Sequence, residues 1–402
     1  MDLLSETSKF DGCSPRGRPP AETLSRLTPY LPEAGVTRVA NLTGLDHVGI
    51  PVWAAVRPNA RSLSVSQGKG IDDDAARASA VMEAVELDHA ERCPLPCRIE
   101  SWAGLAGRVD VADVDGLPLS REGRFLPHRP LPWVEARRLD GGGPVWIPYE
   151  VVHANAVLPR VPGSGCFVAS TNGLASGNNT AEAVLHGLCE VIERDALALW
   201  SAAGSAAGRL DLSTVADPAA RRLLDLFEAA GIDVAAWDVT SDVGVPVYRV
   251  VIVDRLADDH FDPKPAAFGA GCSPDPDLAL RRALTEAAQS RLTTISGARD
   301  DLTRARYRGF QDAAGRRALR DSLAGGGATP MRPPAPVTTV EHDVAAVLAA
   351  LHRAGVGPAL VADLSRPGWP VAVVRVVVVG LEGPDESPSY TPGPRARAAA
   401  GR

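Results

Sequence analysis

Apolar residues recur at three- and four-residue spacing in two segments, and this spacing predicts a helix over each. One runs from Pro218 to Ala230 with Leu223, Leu224 and Phe227, the other from His342 to Ala354 with Val344, Val347, Leu348 and Leu351. Each ends at Ala-Gly, where Gly231 and Gly355 suit C-terminal caps. Unbroken β-branched runs follow, Tyr248 to Val253 and Val371 to Val379, and these predict strands buried on both faces. The surrounding plan is written three times: Ala34 to Val56, Ala230 to Val253 and Ala354 to Val379 each open with Ala-Gly. Each then crosses an apolar stretch to Asn or Asp, turns, and reaches Gly-x-Pro-Val before a second apolar run. The predicted unit is helix, strand, turn, strand.

A second, polar pattern also occurs three times. A Gly-rich loop runs into a helix that carries Glu-x-x-Glu or Glu-x-x-Gln, ending at Glu83 and Glu86, at Glu190 and Glu193, and at Glu286 and Gln289. Ala76, Ala183 and Ala279 stand seven residues before the first Glu of each pair, so the copies are in phase. Residues three or four apart share a helix face. With Glu182 as zero and about 100° per residue, His186, Glu190 and Glu193 fall at roughly 40°, 80° and 20°, with Asn178 just behind. Val184, Leu188 and Val191 occupy much of the opposite side, so the acidic stripe is expected to face solvent, another lobe or a cleft. A solvated face explains one such helix as well as a site does; three related helices, each behind a glycine loop, favour a site.

Carboxylates on one stripe repel and need a cation. Gly-rich loops and helix N-termini bring backbone amides to phosphate, and Mg²⁺ commonly bridges a few carboxylates to phosphate oxygens. Together with Lys69 and Arg194 these features point to a Mg-nucleotide. The Gly68–Gly70 GKG has neither the spacing nor the Ser/Thr of a P-loop, so any ATP site is of another kind. The expected architecture is α+β with internal pseudo-symmetry, the nucleotide site lying where the repeated helices converge.

Composition narrows the setting. The 402 residues are 45% hydrophobic and 23% charged, enough for a substantial core, and a net charge of -7 argues against a nucleic-acid-binding surface. Six cysteines are scattered without a CxxC pair, which suits reduced thiols rather than a zinc site. Met1-Asp2 opens no secretory signal and no apolar run approaches a membrane span, so a cytoplasmic protein without membrane association is expected. Residues 1–25 read as irregular, 26–395 as the catalytic domain with a linker or mobile loop near 321–338 (Leu323 to Pro336), and 396–402 as an irregular tail. The stretch from Glu382 to Arg402 reads the same way. Trp133 to Leu139, Asp140-Gly-Gly-Gly143 and Val145 to Val152 form a predicted hairpin.

Three ordered blocks then resemble the YcaO-domain family: GKG with S-A-x-x-E-A-x-E, NGLASGN with E-A-x-x-H-x-x-x-E-x-I-E-R-D-A, and A-L-x-E-A-A-Q-S-R with G-A-R-D-D. The wording RPNARSLSVSQGKG and HGLCEVIERDA is most similar to the TfuA-associated, thioamidation-linked subgroup. The resemblance implies a YcaO-type α+β fold and ATP-dependent modification of peptide backbone amides over about residues 30 to 395. It places ATP contacts on Lys69, Ser79, Glu83, Asn178, Glu182, Arg194, Gln289 and Arg291, and Mg²⁺ ligands on Glu83, Glu86, Glu190 and Glu193. Arg194, Glu193 and Glu190 would be catalytic. Arg291 does not share a helical face with Glu286 and Gln289. The family often follows the first acidic pair with Arg, where this chain has Leu87; Arg92 is the substitute considered.

The implied chemistry is addition of a nucleophile to the amide carbonyl, phosphorylation of the oxyanion by ATP, and loss of phosphate. The implied partners are a precursor peptide or protein substrate and a TfuA-like protein, with a homodimer left open. Of the Pro-x-Pro-x-Pro tail of azoline-forming members only Pro392 and Pro394 keep the spacing, which counts against a standard cyclodehydratase; no leader-binding domain is expected in front, so a separate partner would supply substrate recognition or sulfur delivery. The alternative of another class is a non-catalytic nucleotide- or peptide-binding scaffold. His186 is expected to be protonated beside the carboxylates, in a structural or electrostatic role rather than as a base. Cys189 is expected to be a core thiol rather than a sulfur carrier.

Overall fold

The computed structural model describes residues 8–9, 16–121, 123–160, 163–204, 208–255, 266–299, 319–321, 323 and 328–401. Helix α1 (Pro20–Leu27) leads into strands β1 (Arg38–Asn41), β2 (Val52–Val56) and β3 (Val65–Lys69) and then helix α2 (Asp73–Glu91). Strand β4 (Arg98–Glu100), a short α3 (Trp102–Leu105), the hairpin β5 (Leu131–Arg138) and β6 (Pro144–Pro148), and β7 (Leu174–Gly177) precede the long α4 (Thr180–Ala202). Helix α5 (Pro218–Ala229), strands β8 (Ile232–Asp238), β9 (Val247–Asp254) and β10 (Ala267–Cys272) and helix α6 (Pro276–Ser296) form the next block. Helix α7 (Val340–Arg353), strands β11 (Ala359–Asp363) and β12 (Ala372–Val378) and helix α8 (Pro394–Ala400) close the chain.

The strands build two three-stranded antiparallel sheets, β1-β2-β3 and β10-β9-β8, and a six-stranded sheet in which β4-β5-β11-β12-β7 run in order and β6 pairs with β5. In the first two sheets the third strand runs directly into an acidic helix, α2 or α6. The third unit is completed out of sequence: β11 and β12 come from the end of the chain, but β12 pairs with β7, which feeds α4. Each acidic helix thus follows a third strand, and side-chain caps start all three: Asp72 accepts from the Ala75 amide, Asn179 from Glu182 and Asp275 from Asp277.

The repeated alanines now have a physical reason. Gly68 on β3, Gly177 on β7 and Gly271 on β10 lie so close to their helices that an added Cβ would sit 2.2 Å from the Ala76 carbonyl oxygen, 2.6 Å from the Ala183 nitrogen and 2.1 Å from the Ala279 carbonyl oxygen. Backbone rests almost directly on backbone, which fixes how far each Glu pair projects beyond the strand ends. Three apolar cores lie behind this arrangement, around α2 with β5 and β6, around α4 with α7 and β12, and between α5, α6 and the β8–β10 sheet.

The helices over Pro218–Ala229 and Val340–Arg353 match the apolar spacing, and both terminal glycines adopt positive φ, 68° at Gly231 and 67° at Gly355. The strand over Leu131–Arg138 and its partner form the expected hairpin, but β6 stops at Pro148 and Tyr149–Val151 is a 3-10 turn rather than strand. Two segments read as irregular contain helix. Helix α1 begins inside the segment read as irregular and buries Leu24 and Leu27 after a Pro at its first position. Helix α8 occupies Pro394–Ala400, where Arg- and Ala-rich sequence has high helix propensity that outweighs the Pro and Gly before it. Within 321–338, residues 322 and 324–327 lie outside the described residues; Leu323 is buried and Thr329 makes a bridge to Leu210. Among the described residues no helix is long and apolar enough to cross a membrane.

Candidate active site

The acidic faces of α2, α4 and α6 meet at the end of β3. Lys69, the last residue of that strand, forms an ion pair with Glu286 on α6. Glu86 on α2 accepts from the Ser176 amide at 2.8 Å and hydroxyl at 2.6 Å, a bond across to β7. Gln289 donates to the Gln67 carbonyl at 2.6 Å, lacing α6 to β3. Polar groups of the α2 and α6 motifs thus tie their units to a neighbouring one.

The charges are strongly coupled. Burial pushes Glu83 up to about 7, against the pull of Arg299 and Lys69, and Glu86 up to about 8, helped by Glu83 and Glu190. Burial and then Glu286 push Glu193 up to about 7, opposed by Arg194, Arg282 and Lys69. Burial also raises Glu190, with Arg194 as the main opposing charge. Glu286 goes the other way: burial works to raise it, but Lys69 and Arg194 prevail and hold it low. Arg194 is held firmly protonated because Glu193, Glu286 and Glu190 outweigh its burial. The result is a nest of carboxylates that resists full ionisation, threaded by Lys69, Arg194 and Arg282.

A pH dependence follows. Glu83, Glu86 and Glu193 have folded pKa values raised to about 7, 8 and 7, so the stability they contribute is full below the unfolded carboxylate range and is lost as pH rises through those values. The ligand-free protein should melt at a lower temperature at pH about 8.5 than at about 6, and Mg-ATP should recover more of the melting temperature at the higher pH. Thermal unfolding in the two buffers, with and without Mg-ATP, checks this; a flat pH profile would remove the linkage.

Around this nest the structure places Ser79 and Glu83 four residues apart on α2 and Asn178 before α4. Glu182 is buried and accepts from the Asn178 amide at 2.9 Å, its side-chain nitrogen at 3.0 Å and the Gly17 amide at 2.8 Å. Arg291 is not brought to the site. It is fully buried on the other face of α6 and pairs with Asp46 at 2.7 Å and Asp254 at 3.5 Å, so it braces α6 instead of meeting nucleotide. Arg92 likewise does not supply the missing cation; it reaches Asp88 at 3.5 Å beyond the acidic pair.

His186 is a correction to its expected charge. Burial, together with Arg282, Arg16 and Lys69, holds it well below its ordinary value and therefore neutral. The spacing along α4 showed its carboxylate neighbours, but the cations arrive from other elements. Cys189 is buried, and its thiol hydrogen-bonds Cys272, whose pKa burial lifts well above the usual thiol range. Neither thiol is poised to carry sulfur.

A family model described as "YcaO cyclodehydratase, ATP-ad Mg2+-binding" matches residues 67–382, a span that contains all three acidic helices. The chain belongs to the YcaO family. A protein encoded in the tfuA 3′ region of Rhizobium leguminosarum bv. trifolii is 37% identical over 95% of this YcaO chain and 92% of its own length, which places the chain with the TfuA-associated members. A Methanothermobacter thermautotrophicus protein is 37% identical over 92% of this chain and 95% of its own. Among solved structures, YcaO from Methanopyrus kandleri bound with AMPPCP and Mg²⁺ is 27% identical, covers 91% of this chain and 92% of that one, and has a TM-score of 0.71. A heterocyclase in complex with substrate and cofactor has a TM-score of 0.76 at 22% identity; this YcaO chain spans 54% of its length, and the likeness is one of fold.

Four cations of this YcaO site escaped the sequence reading. Arg282 stands four residues before Glu286, so helical spacing could have found it. Arg299 lies within the G-A-R-D-D block. Arg375 is the lone charge in an apolar strand, and Arg16 precedes the first helix; for Arg16 the sequence carries no signal. The C-terminal segment also reaches this region. Arg395 forks onto Asp195 at 2.9 Å through both Nε and Nη2, which ties the C-terminal segment to α4, and Glu386 acts on Arg194 electrostatically.

Proposed function

We propose that this YcaO protein modifies peptide backbone amides at the expense of ATP, forming thioamides on a ribosomally made peptide or protein together with a TfuA-type partner. The observation that carries the reading is the nest of buried carboxylates threaded by Lys69, Arg194 and Arg282. Its donor set fits a hard divalent cation and a triphosphate: three carboxylates sit where burial alone disfavours ionisation, and a cation relieves that cost. Glu83, Glu86, Glu190 and Glu193 would hold Mg²⁺, sharing it with phosphate oxygens. Among the described residues no three acidic, His or Cys side chains are already gathered as a metal cage. When bound, Mg²⁺ would neutralise charge on the transferring phosphoryl group. Lys69 and Arg194 would meet the phosphates; Ser79, Asn178 and Glu182 would position the nucleotide, and Gln289 would hold the β3 edge of its pocket.

Hydrosulfide adds to the amide carbon, and the oxyanion so formed displaces ADP from the γ-phosphorus. Phosphate then leaves with the former amide oxygen and the proton of the hydrosulfide, and C=S remains. Arg194 contributes most where negative charge is spread over the transferring group.

Cyclodehydration is the second reading, favoured by the family description and by the likeness in fold to a heterocyclase. Intact mass of a precursor peptide incubated with this protein, a TfuA-like partner, Mg-ATP and sulfide separates the two. The expected product is heavier by the exchange of oxygen for sulfur, and formed only when sulfide is present. Loss of one water without any need for sulfide would replace thioamidation by ring closure.

A further inference from the structure

Arg375 lies in the middle of β12, the buried strand that joins β11 to β7, and is 3% exposed. Its Nη2 donates to the Ser170 carbonyl at 2.7 Å, but Nε and Nη1 are buried with no hydrogen-bond partner. The guanidinium borders a cavity of ≈ 40 Å³ shared with Ser170, Asn172, Val191, Val376 and Glu382. The Asn172 Oδ1 is also buried and unpartnered. Glu382 adds no demand of its own, since its oxygens already accept from the Tyr390 hydroxyl and the Gly393 and Ala396 amides, each at 2.8 Å. His153 nearby is held neutral, at about 4, by burial and by Arg375, so it supplies no counter-charge. Glu190 is the acidic group that acts on Arg375, and it belongs to the active-site nest.

A buried guanidinium with two idle N–H groups is costly. The cavity has room for about three water-sized groups, too little for a peptide or nucleotide. We propose that Arg375 and Asn172 form a binding site for a small, soft monoanion on the inner side of Glu190, and that in the reaction above this anion is the hydrosulfide nucleophile. The Nε–H and Nη1–H point to different sides of the guanidinium, so hydrosulfide accepts from one of them and donates its one S–H to the Asn172 oxygen, and the other N–H is left to a water in the same cavity. Water can match the hydrogen bonds but adds no negative charge to that of Glu190 opposite the guanidinium, and the valine walls favour a weakly hydrated anion. The anion site itself does not depend on the functional reading; its assignment to the nucleophile does.

Two measurements separate these levels. Crystals of the wild-type protein soaked in bromide should show an anomalous peak between the Arg375 guanidinium and Asn172; an empty cavity at saturating bromide overturns the site, whatever the enzyme turns over. In kinetics, Asn172→Asp places a carboxylate against the anion and should raise the KM for sulfide by about tenfold or more, as expected for a hydrogen bond to a charged group, while the KM for ATP stays within about twofold. Arg375→Gln should do the same if it folds. Bromide bound with the KM for sulfide unchanged in Asn172→Asp would overturn the nucleophile assignment. If no tested peptide is thioamidated, the proposed reaction falls, and the bromide peak alone still decides whether the anion site is real.

Discussion

Glu193→Gln should reduce ATP-dependent turnover on the order of 10²- to 10³-fold while leaving the fold intact. The amide keeps the shape of the carboxylate but removes its charge at the point where Arg194, Arg282 and Lys69 act on it and where Glu286 repels it. Loss of that charge weakens cation binding and removes the carboxylate that acts most strongly on Arg194, two effects that both fall on the phosphoryl-transfer step. A structural role predicts a different result. Glu193 is 4% exposed, and burial raises its pKa to about 7, so an ionised Glu193 costs the ligand-free protein stability above that pH. The variant should therefore melt no lower than wild type at pH about 8 although its activity is gone. Phosphate release with a cognate peptide and thermal unfolding at that pH are the two readouts. Activity within about twofold of wild type would remove Glu193 from the machinery.

Gly68→Ala should damage the fold and the site together with a single methyl group. The new Cβ would lie 2.0 Å from the Ala80 nitrogen and 2.2 Å from the Ala76 carbonyl oxygen, and both are helix backbone that cannot rotate away. Helix α2 must move off β3, and with it Glu83 and Glu86, whose positions over Lys69 and Ser176 depend on that contact. Overpacking of this kind costs about 3 kcal/mol or more. Urea unfolding should show the loss of stability, and any folded fraction should bind Mg-ATP poorly. Unchanged stability would mean that α2 is not held by this contact.

Much of the fold was legible because it repeats. Two helices, the buried strands and the β5–β6 hairpin follow from periodicity and turn residues, and Gly231 and Gly355 lie where a left-handed cap is required. The helix faces bearing Glu83 and Glu86 and bearing Glu190 and Glu193 could be drawn on a wheel before any coordinates. Arg291 and His186 could not. Arg291 belongs to the same motif as Gln289, but it points to Asp46, a partner 245 residues away. For His186, the sequence showed acidic neighbours on its own helix, and the charge state was set by burial and then by Arg282 and Arg16 from elsewhere.

The sequence alone determined that three glycine loops lead into three in-phase acidic helices, because local spacing decides which side chains share a face and where a strand can lie against helix backbone. It also supplied three strand-turn-strand plans, but it could not match the last plan to its helix. That was left to the tertiary structure, in which β12 recruits β7, so that a strand pair from the end of the chain completes a unit begun near its middle. Pairing between strands is set by which edges are free and which faces need burial, and neither is a local property. The same closure buries Arg375 beside the active site and converts an isolated charge in a valine run into a candidate anion site.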